Sequence, residues 1–388
     1  MKRFFSLSHF SAGFVAVMVG YTSSAVIIFQ AAAAAGASAA EISSWLWALG
    51  IGMALTTIGL SLYFRAPILT AWSTPGAALL VTALSGIPLN EAIGIFIFSS
   101  GLIFLCGITG WFEKVMHQIP MSLAGAMLAG VLLQFSIDLF NILESELLLV
   151  GLMLAVFILV KLVLPRYSIP IVLLTGAVVA LFQGQLHIDT LSLEFSTPIW
   201  VTPAFSLQNI IGVGIPLFII TLASQNVPGV AVLRANGYET PVSPLLTWTG
   251  LTGVLLAPFG GFSFNLAAIT AAICMGKEAG EDPTQRYFAA VWAGFFYLLT
   301  GLFGSTIAAL FTAFPSALVM TIAGLALMST IGNSLATALA DPGEREAAFI
   351  TFLVTASDLS LLGISRAFWG LSFGLIVYFL HSPARKNS

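Results

Sequence analysis

The chain has 388 residues, of which 59% are hydrophobic and only 7% charged. Soluble domains carry roughly 25% charged residues, so this composition excludes one and predicts an all-α polytopic protein in contact with membrane lipid. A net charge of −3 gives no sign of a nucleic-acid partner.

Met1-Lys2-Arg3 opens like a signal peptide, but the apolar run continues past Tyr21 to Phe29 and Ala35, so it reads as a retained spanning helix. Hydrophobic runs punctuated by charges, prolines and glycines predict fourteen segments. They lie near 10–35, 44–63, 68–85, 91–110, 119–137, 144–163 and 168–183, then 207–232, 243–258, 262–276, 285–304, 306–332, 347–358 and 363–381. The over-long 306–332 run is interrupted at Pro315. With both termini cytoplasmic, all of the 13 Lys and Arg residues except Arg366 face the cytoplasm, as the positive-inside rule asks.

Segment 3 does not read as a plain span. Ile68 to Trp72 suits an extended segment, Ser73 or Thr74 suits an N-cap, and Pro75 suits the first helical position. A half-helix starting there would expose N–H groups that hydrocarbon cannot satisfy, and its positive end favours an anion. Segment 10 has a related pattern in GGFSFNLAAITAAI (260–273). Aligning the alanines places Trp72 on Phe262, Ser73 on Ser263 and Pro75 on Asn265, so that Asn265 opens the second half-helix. Thr109-Gly110 and Thr300-Gly301 repeat as well, as do Ile119-Pro120 and Phe314-Pro315. The expected organisation is therefore two repeats of seven segments, 1–183 and 207–388, joined by an external solvated linker at 184–206. Seven is odd, so the second repeat enters inverted. Interrupted segments at matching places are the usual pointer to a transporter's binding site.

No Asp, Glu, Lys or Arg falls near the middle of any segment. The deep polar groups are Tyr21, Thr22, Ser23, Ser24 and Gln30 in segment 1, and Ser224, Gln225 and Asn226 in segment 8. Candidate substrate-binding residues are thus Ser23, Ser24, Trp72, Ser73, Thr74, Pro75, Gly76, Gln225, Asn226, Phe262, Ser263 and Asn265. Competing readings exist for several. Ser23, Ser24 and Thr74 equally suit bonds to their own helix carbonyls, Asn265 suits a simple cap, and Trp72 and Phe262 suit packing. His9, His117, His187 and His381 lie at segment ends or in loops, and Cys106 and Cys274 lie in separate segments. Neither a metal cluster nor a nucleophile–base pair is legible, so no cofactor, metal or enzymatic activity is expected.

WSTPGAALL (72–80), GYTSSAVI (20–27), LASQNVPGVA (222–231) and VTAS (354–357) resemble the benzoate membrane transporter family, the BenE type, over about residues 10–380. The resemblance implies a nucleobase-permease-like fold with a core domain from about 10–110 and 207–304 and a gate domain from about 119–183 and 306–381. It implies secondary active import of benzoate or a related aromatic carboxylate with a proton, by alternating access, in a bacterial-type inner membrane, and leaves a homodimer open. Nucleobase permeases of the same fold place carboxylates where Gln225 and Asn265 stand here. Only peripheral acids, Glu41, Glu91 and Asp358, are on hand as proton carriers. A passive channel or an exchanger for anions stays open as the alternative, as does a nucleobase permease.

Overall fold

The computed structural model describes residues 6–112, 120–186, 193–357, 359, 361 and 366–385. Lys2, Arg3, Lys114 and Lys386 among the basic residues counted above, together with His117, His187 and Asp358, lie outside them, as does the Ser23 side chain.

The first half begins with α1 (Leu7–Ala34) and α2 (Ala39–Phe64). Ser38 and Glu41 start α2 with a reciprocal capping box. A short strand β1 (Thr70–Trp72) then runs into α3 (Thr74–Ala83), followed by α4 (Leu89–Thr109). Pro120 precedes α5 (Met121–Ser145), and α6 (Leu147–Val163) and α7 (Ser168–Phe182) complete this half. The second half opens with α8 (Leu207–Arg234) and α9 (Val242–Leu256). Strand β2 (Phe264–Leu266) precedes α10 (Ile269–Met275), and α11 (Tyr287–Leu302) and α12 (Gly304–Ala313) follow. Pro315 starts α13 (Ser316–Ala338), and α14 (Arg345–Ala356) and α15 (Arg366–Arg385) end the chain.

Among the described residues, six helices are long and apolar enough to cross a membrane, or up to eight if each bent pair is one span. Several others, α3, α6 and α7 among them, are apolar but shorter. The run expected at 306–332 is not one segment. Its first part is α12, which continues α11 after a 71° bend, and a new helix begins behind Pro315. Proline has no N–H to give and disfavours the helical region for the residue before it, so Phe314 is extended.

Two groups of helices recur in the packing. In one, α4 lies on α9, α2 on α11, and α1 on α3 and α11. In the other, α5 lies on α13 and α14, α14 on α15, and α6 on α7. Small residues set the closest crossings. Gly50 of α2 meets Gly301 of α11 backbone to backbone, where a Cβ on either would have no room. Large apolar side chains such as Leu148, Leu159, Leu174 and Phe182 point outward, as lipid contact requires.

β1 and β2 pair antiparallel, with Thr70 opposite Leu266, Ala71 opposite Asn265 and Trp72 opposite Phe264. The Ala267 N–H extends the ladder to the Leu69 carbonyl at 2.9 Å. The far edge of β1 is covered by hydroxyls of α2: Thr57 Oγ1 accepts from the Thr70 N–H at 3.0 Å, and Ser61 Oγ both accepts from Ile68 N and donates to Ile68 O. The loop expected to be a solvated linker is tied down in its described part. Residues 193–206 run without regular structure, and their N–H groups reach Leu302 O, Ser44 Oγ, Pro258 O and Asn90 O at 2.8–2.9 Å.

Gly260, just upstream of β2, has φ +92°, and a Cβ there would overlap the Trp45 indole. Gly260→Ala is expected to lower stability by about 2–4 kcal/mol, from overpacking plus the left-handed backbone penalty. Thermal unfolding of the purified variant in detergent checks this; an unchanged melting temperature would contradict it.

Candidate functional site

A cavity of about 780 Å³ lies between the two helix groups. One wall carries Tyr21 and Ser24 from α1, Trp72, Thr74 and Pro75 from β1–α3, Ser224, Gln225 and Pro228 from α8, and Ala268 to Thr270 at the start of α10. The opposite wall comes from α5, the start of α7, and the C-terminal half of α13. Among the described residues, no Asp, Glu, Lys, Arg or His lines it. Its polar atoms are hydroxyls, amides and backbone groups.

The α3 start is built as its sequence predicts. Ser73 is extended at φ −80°, its Oγ accepts from the Gly76 N–H at 3.0 Å, and Pro75 sits in the first turn. Ser73 and Gly76 are buried one layer behind the wall, while Thr74 and Pro75 face the cavity. Trp72 is fixed from α1. Its Nε1–H donates to Ser24 Oγ at 2.8 Å, and the Ser24 hydroxyl donates to Gly20 O at 2.7 Å. Tyr21 packs edge-on against the indole, with ring centroids 4.7 Å apart.

Segment 10 departs from expectation. Asn265 does not open a helix; it lies in β2 opposite Ala71, and α10 begins at Ile269 with no side-chain cap. The physical reason is competition for the backbone. The Leu266 N–H is taken by Asn226 Oδ1 at 3.0 Å and the Ala267 N–H by Leu69 O, so coiling must wait until the ladder ends. The central strand pair sets Asn265 opposite Ala71, an offset of 194 rather than the 190 that matched Trp72 to Phe262. Phe262 accordingly leaves the site. It is fully buried and packs on Trp45 and Phe96, with ring centroids 5.8 and 5.1 Å away. Ser263, at φ 44°, is buried beside it. Asn226 and Asn265 are also fully buried and do not line the cavity. They serve the strand crossing: Asn226 as above, and Asn265 by donating Nδ2–H to Ser263 O at 2.9 Å.

Gln225 is half-buried and faces the cavity, and among the described residues its amide has no hydrogen-bond partner. Its orientation comes from a π-turn over Leu222–Asn226, where the Val227 N–H reaches back to Leu222 O. Pro228 follows at once and withholds the N–H that would normally serve Ser224 O. A second π-turn, Ile210–Gly214, precedes Pro216 in the same way. Such turns often mark functional sites.

At seven residues, α10 needs outside support. Arg286 supplies it. The buried guanidinium donates to Met275 O and Gly280 O, both at 2.7 Å, which places a cation at the negative end of α10. The neighbouring Tyr238, which lies outside the apolar helices, donates its hydroxyl to Pro283 O at 2.8 Å. Burial pushes the pKa of that phenol up from its ordinary value, and Arg286 opposes the shift.

Several wall residues had no place among the expected ones: Tyr21 and Tyr297 in a bindable role, and Ser329, Thr330, Asn333, Ser334 and Thr337 on α13. The α13 group was findable. Polar residues at i, i+1, i+4, i+5 and i+8 in an apolar helix form one stripe.

The sequence profile of the family described as "Benzoate membrane transport protein" matches residues 3–380. The chain is 52% identical to the Escherichia coli (strain K12) "Inner membrane protein YdcO" over 367 residues, which is 95% of this chain and 94% of that one. It is 40% identical to the "Benzoate membrane transport protein" of Acinetobacter baylyi over 380 residues, covering 98% and 96% of the two chains. Among solved structures it is similar to the transmembrane domain of the cyanobacterial bicarbonate transporter BicA, with TM-score 0.64, 14% identity and 96% of each chain covered. It is also similar to the murine anion transporter Slc26a9 in an inward-facing state, with TM-score 0.60, 11% identity, and 96% of this chain and 68% of that one covered. At such identities the two solved structures speak for the fold alone: a mostly helical membrane transporter.

Ser24→Ala removes the acceptor for a buried N–H. The expected cost is about 1–3 kcal/mol, the usual penalty for an orphaned buried donor, with a change in tryptophan emission as the Trp72 indole is released. Thermal unfolding and fluorescence spectra check this; wild-type values in both would show that Ser24 does not hold Trp72.

Proposed function

The chain belongs to the benzoate membrane transport protein family, and on that premise we propose that it imports benzoate or a related aromatic carboxylate across the inner membrane by alternating access, together with a proton. It is a transporter rather than an enzyme. One observation carries the substrate assignment: among the described residues, the Gln225 amide is unpaired and projects into a cavity lined by no charged side chain, alongside the positive end of α3. A monoanion is the guest that gains most there. A fixed carboxylate, as in nucleobase permeases, would repel it.

In this reading the carboxylate accepts from the Gln225 amide, beside the positive ends of α3 and α10. Charge-assisted bonds of that kind contribute about 1.5–3 kcal/mol each when water is excluded. The ring rests against Trp72 and Pro75. α1–α4 with α8–α11 form the core, and α5–α7 with α13–α15 form the gate, as fourteen segments in two inverted repeats. The antiparallel β1–β2 pair and the matched prolines before α5 and α13 support the inversion. If both termini are cytoplasmic, as the charge pattern asks, the cavity's reach to the α5 start, the α7 start and the α13 end fits an inward-facing state.

Transport without a proton is the second reading. The observation in its favour is that no acid lines the cavity among the described residues. Uptake of labelled benzoate into proteoliposomes, with and without an imposed pH gradient, separates the two. Symport requires accumulation only with the gradient; equal uptake in both removes the proton.

Gln225→Ala is expected to weaken benzoate affinity about tenfold or more, since 1.4 kcal/mol is a factor of ten. Gln225→Glu is expected to be worse, because it sets a like charge against the anion. Calorimetric titration of folded, monodisperse protein measures both. Wild-type affinity in both variants would remove Gln225 from the site.

A further inference from the structure

Among the described residues no charged side chain lines this cavity, and one cation, Lys161, is hydrogen-bonded to a residue of its wall. Lys161, in the last turn of α6, donates Nζ–H to Ser329 Oγ at 2.8 Å, and Ser329 lines the cavity. The ammonium also lies 4.9 Å from the centroid of the Phe157 ring. Among the described residues it has no carboxylate partner, so its charge is not neutralised within the protein. The chain that follows α6 turns directly into the cavity rim, at Pro165 and Ser168. A lysine used only to anchor α6 at a membrane surface would point its ammonium away from the bundle. This one points across to α13 and the cavity mouth.

The geometry points to Lys161 as an anion-recruiting group, a transient subsite for organic carboxylates at the cavity mouth, distinct from the α3–Gln225 site. The assignment rests on the functional reading above and extends it to how the anion enters and leaves. An uncompensated charge near a low-dielectric opening raises the local concentration of counter-ions. The Lys161–Ser329 bond keeps that charge at the rim. It is weak enough to be exchanged for a passing carboxylate, with Ser329 and Asn333 as the next polar groups along the α13 stripe.

The test uses purified full-length protein in lipid nanodiscs. Benzoate association is followed by stopped-flow tryptophan fluorescence at ionic strengths of about 0.01 M and about 1 M, where screening lengths are roughly 30 and 3 Å. Lys161→Gln is expected to slow association about two- to fivefold at low salt, the size of one unit charge acting through water, and to match wild type at high salt. Lys161→Arg is expected to behave as wild type. Ser329→Ala keeps the charge but releases it from the rim, and is expected to fall between wild type and Lys161→Gln at low salt. Equal association rates for wild type and Lys161→Gln at low salt would overturn the inference while leaving the substrate assignment intact. So would a slowing that persists at high salt and appears equally in Lys161→Arg, since that marks a purely structural tie. Wild-type protein that binds no benzoate would overturn the functional reading, and this inference with it.

Discussion

Everything about the site depends on backbone groups that no helix satisfies. β1 and β2 cross inside a helical membrane protein, where an unpaired N–H or C=O costs several kcal/mol. Each strand solves part of the other's problem through the antiparallel ladder. The remaining edge of β1 is closed by hydroxyls of α2, Thr57 and Ser61, and the Leu266 N–H by the Asn226 amide of α8. The buried threonines and asparagines are thus not spare polarity. They make two helix interruptions tolerable, and the interruptions bring the starts of α3 and α10 to one cavity.

That arrangement answers how an anion could be held without a basic residue. The wall offers dipoles, not charges: a helix start, an amide and hydroxyls. A buried lysine or arginine would bind a carboxylate more tightly, but it would also carry its own desolvation cost and hold its guest too long for turnover. Charges are kept outside the wall. Arg286 lies at the far end of α10, where it strengthens the dipole without touching the cavity, and Lys161 lies at the rim. Rigidity comes from side chains that serve the site indirectly. Ser24 holds Trp72, Ser73 caps α3, and the π-turn before Pro228 aims Gln225.

Much of this was legible in the residues and some was not. STPG at 73–76 announces a capped helix start through local chemistry alone, and the cap is there. Ser224 to Asn226 before Pro228 announces a polar break in an apolar helix, although not that a π-turn turns Gln225 toward the cavity and Asn226 away from it. Asn265 was misplaced because its local pattern, a polar residue before an apolar run, fits an N-cap as well as a strand. Its partner in deciding between them, Ala71, is 194 residues away. Phe262 was drawn in by the same shifted alignment.

Composition and local proline and capping chemistry determine by themselves that the chain is a helical membrane protein with interrupted segments near 68–76 and 260–268. These features are local or additive along the chain: hydropathy sums over a span, and capping needs only neighbouring residues. The tertiary structure decided where the second interruption ends, which polar residues face the cavity, and which ones seal the backbone behind it. Those outcomes turn on hydrogen-bond competition between elements far apart in sequence. Asn226 can satisfy Leu266 or project toward a guest, but not both, and only the packed fold determines which.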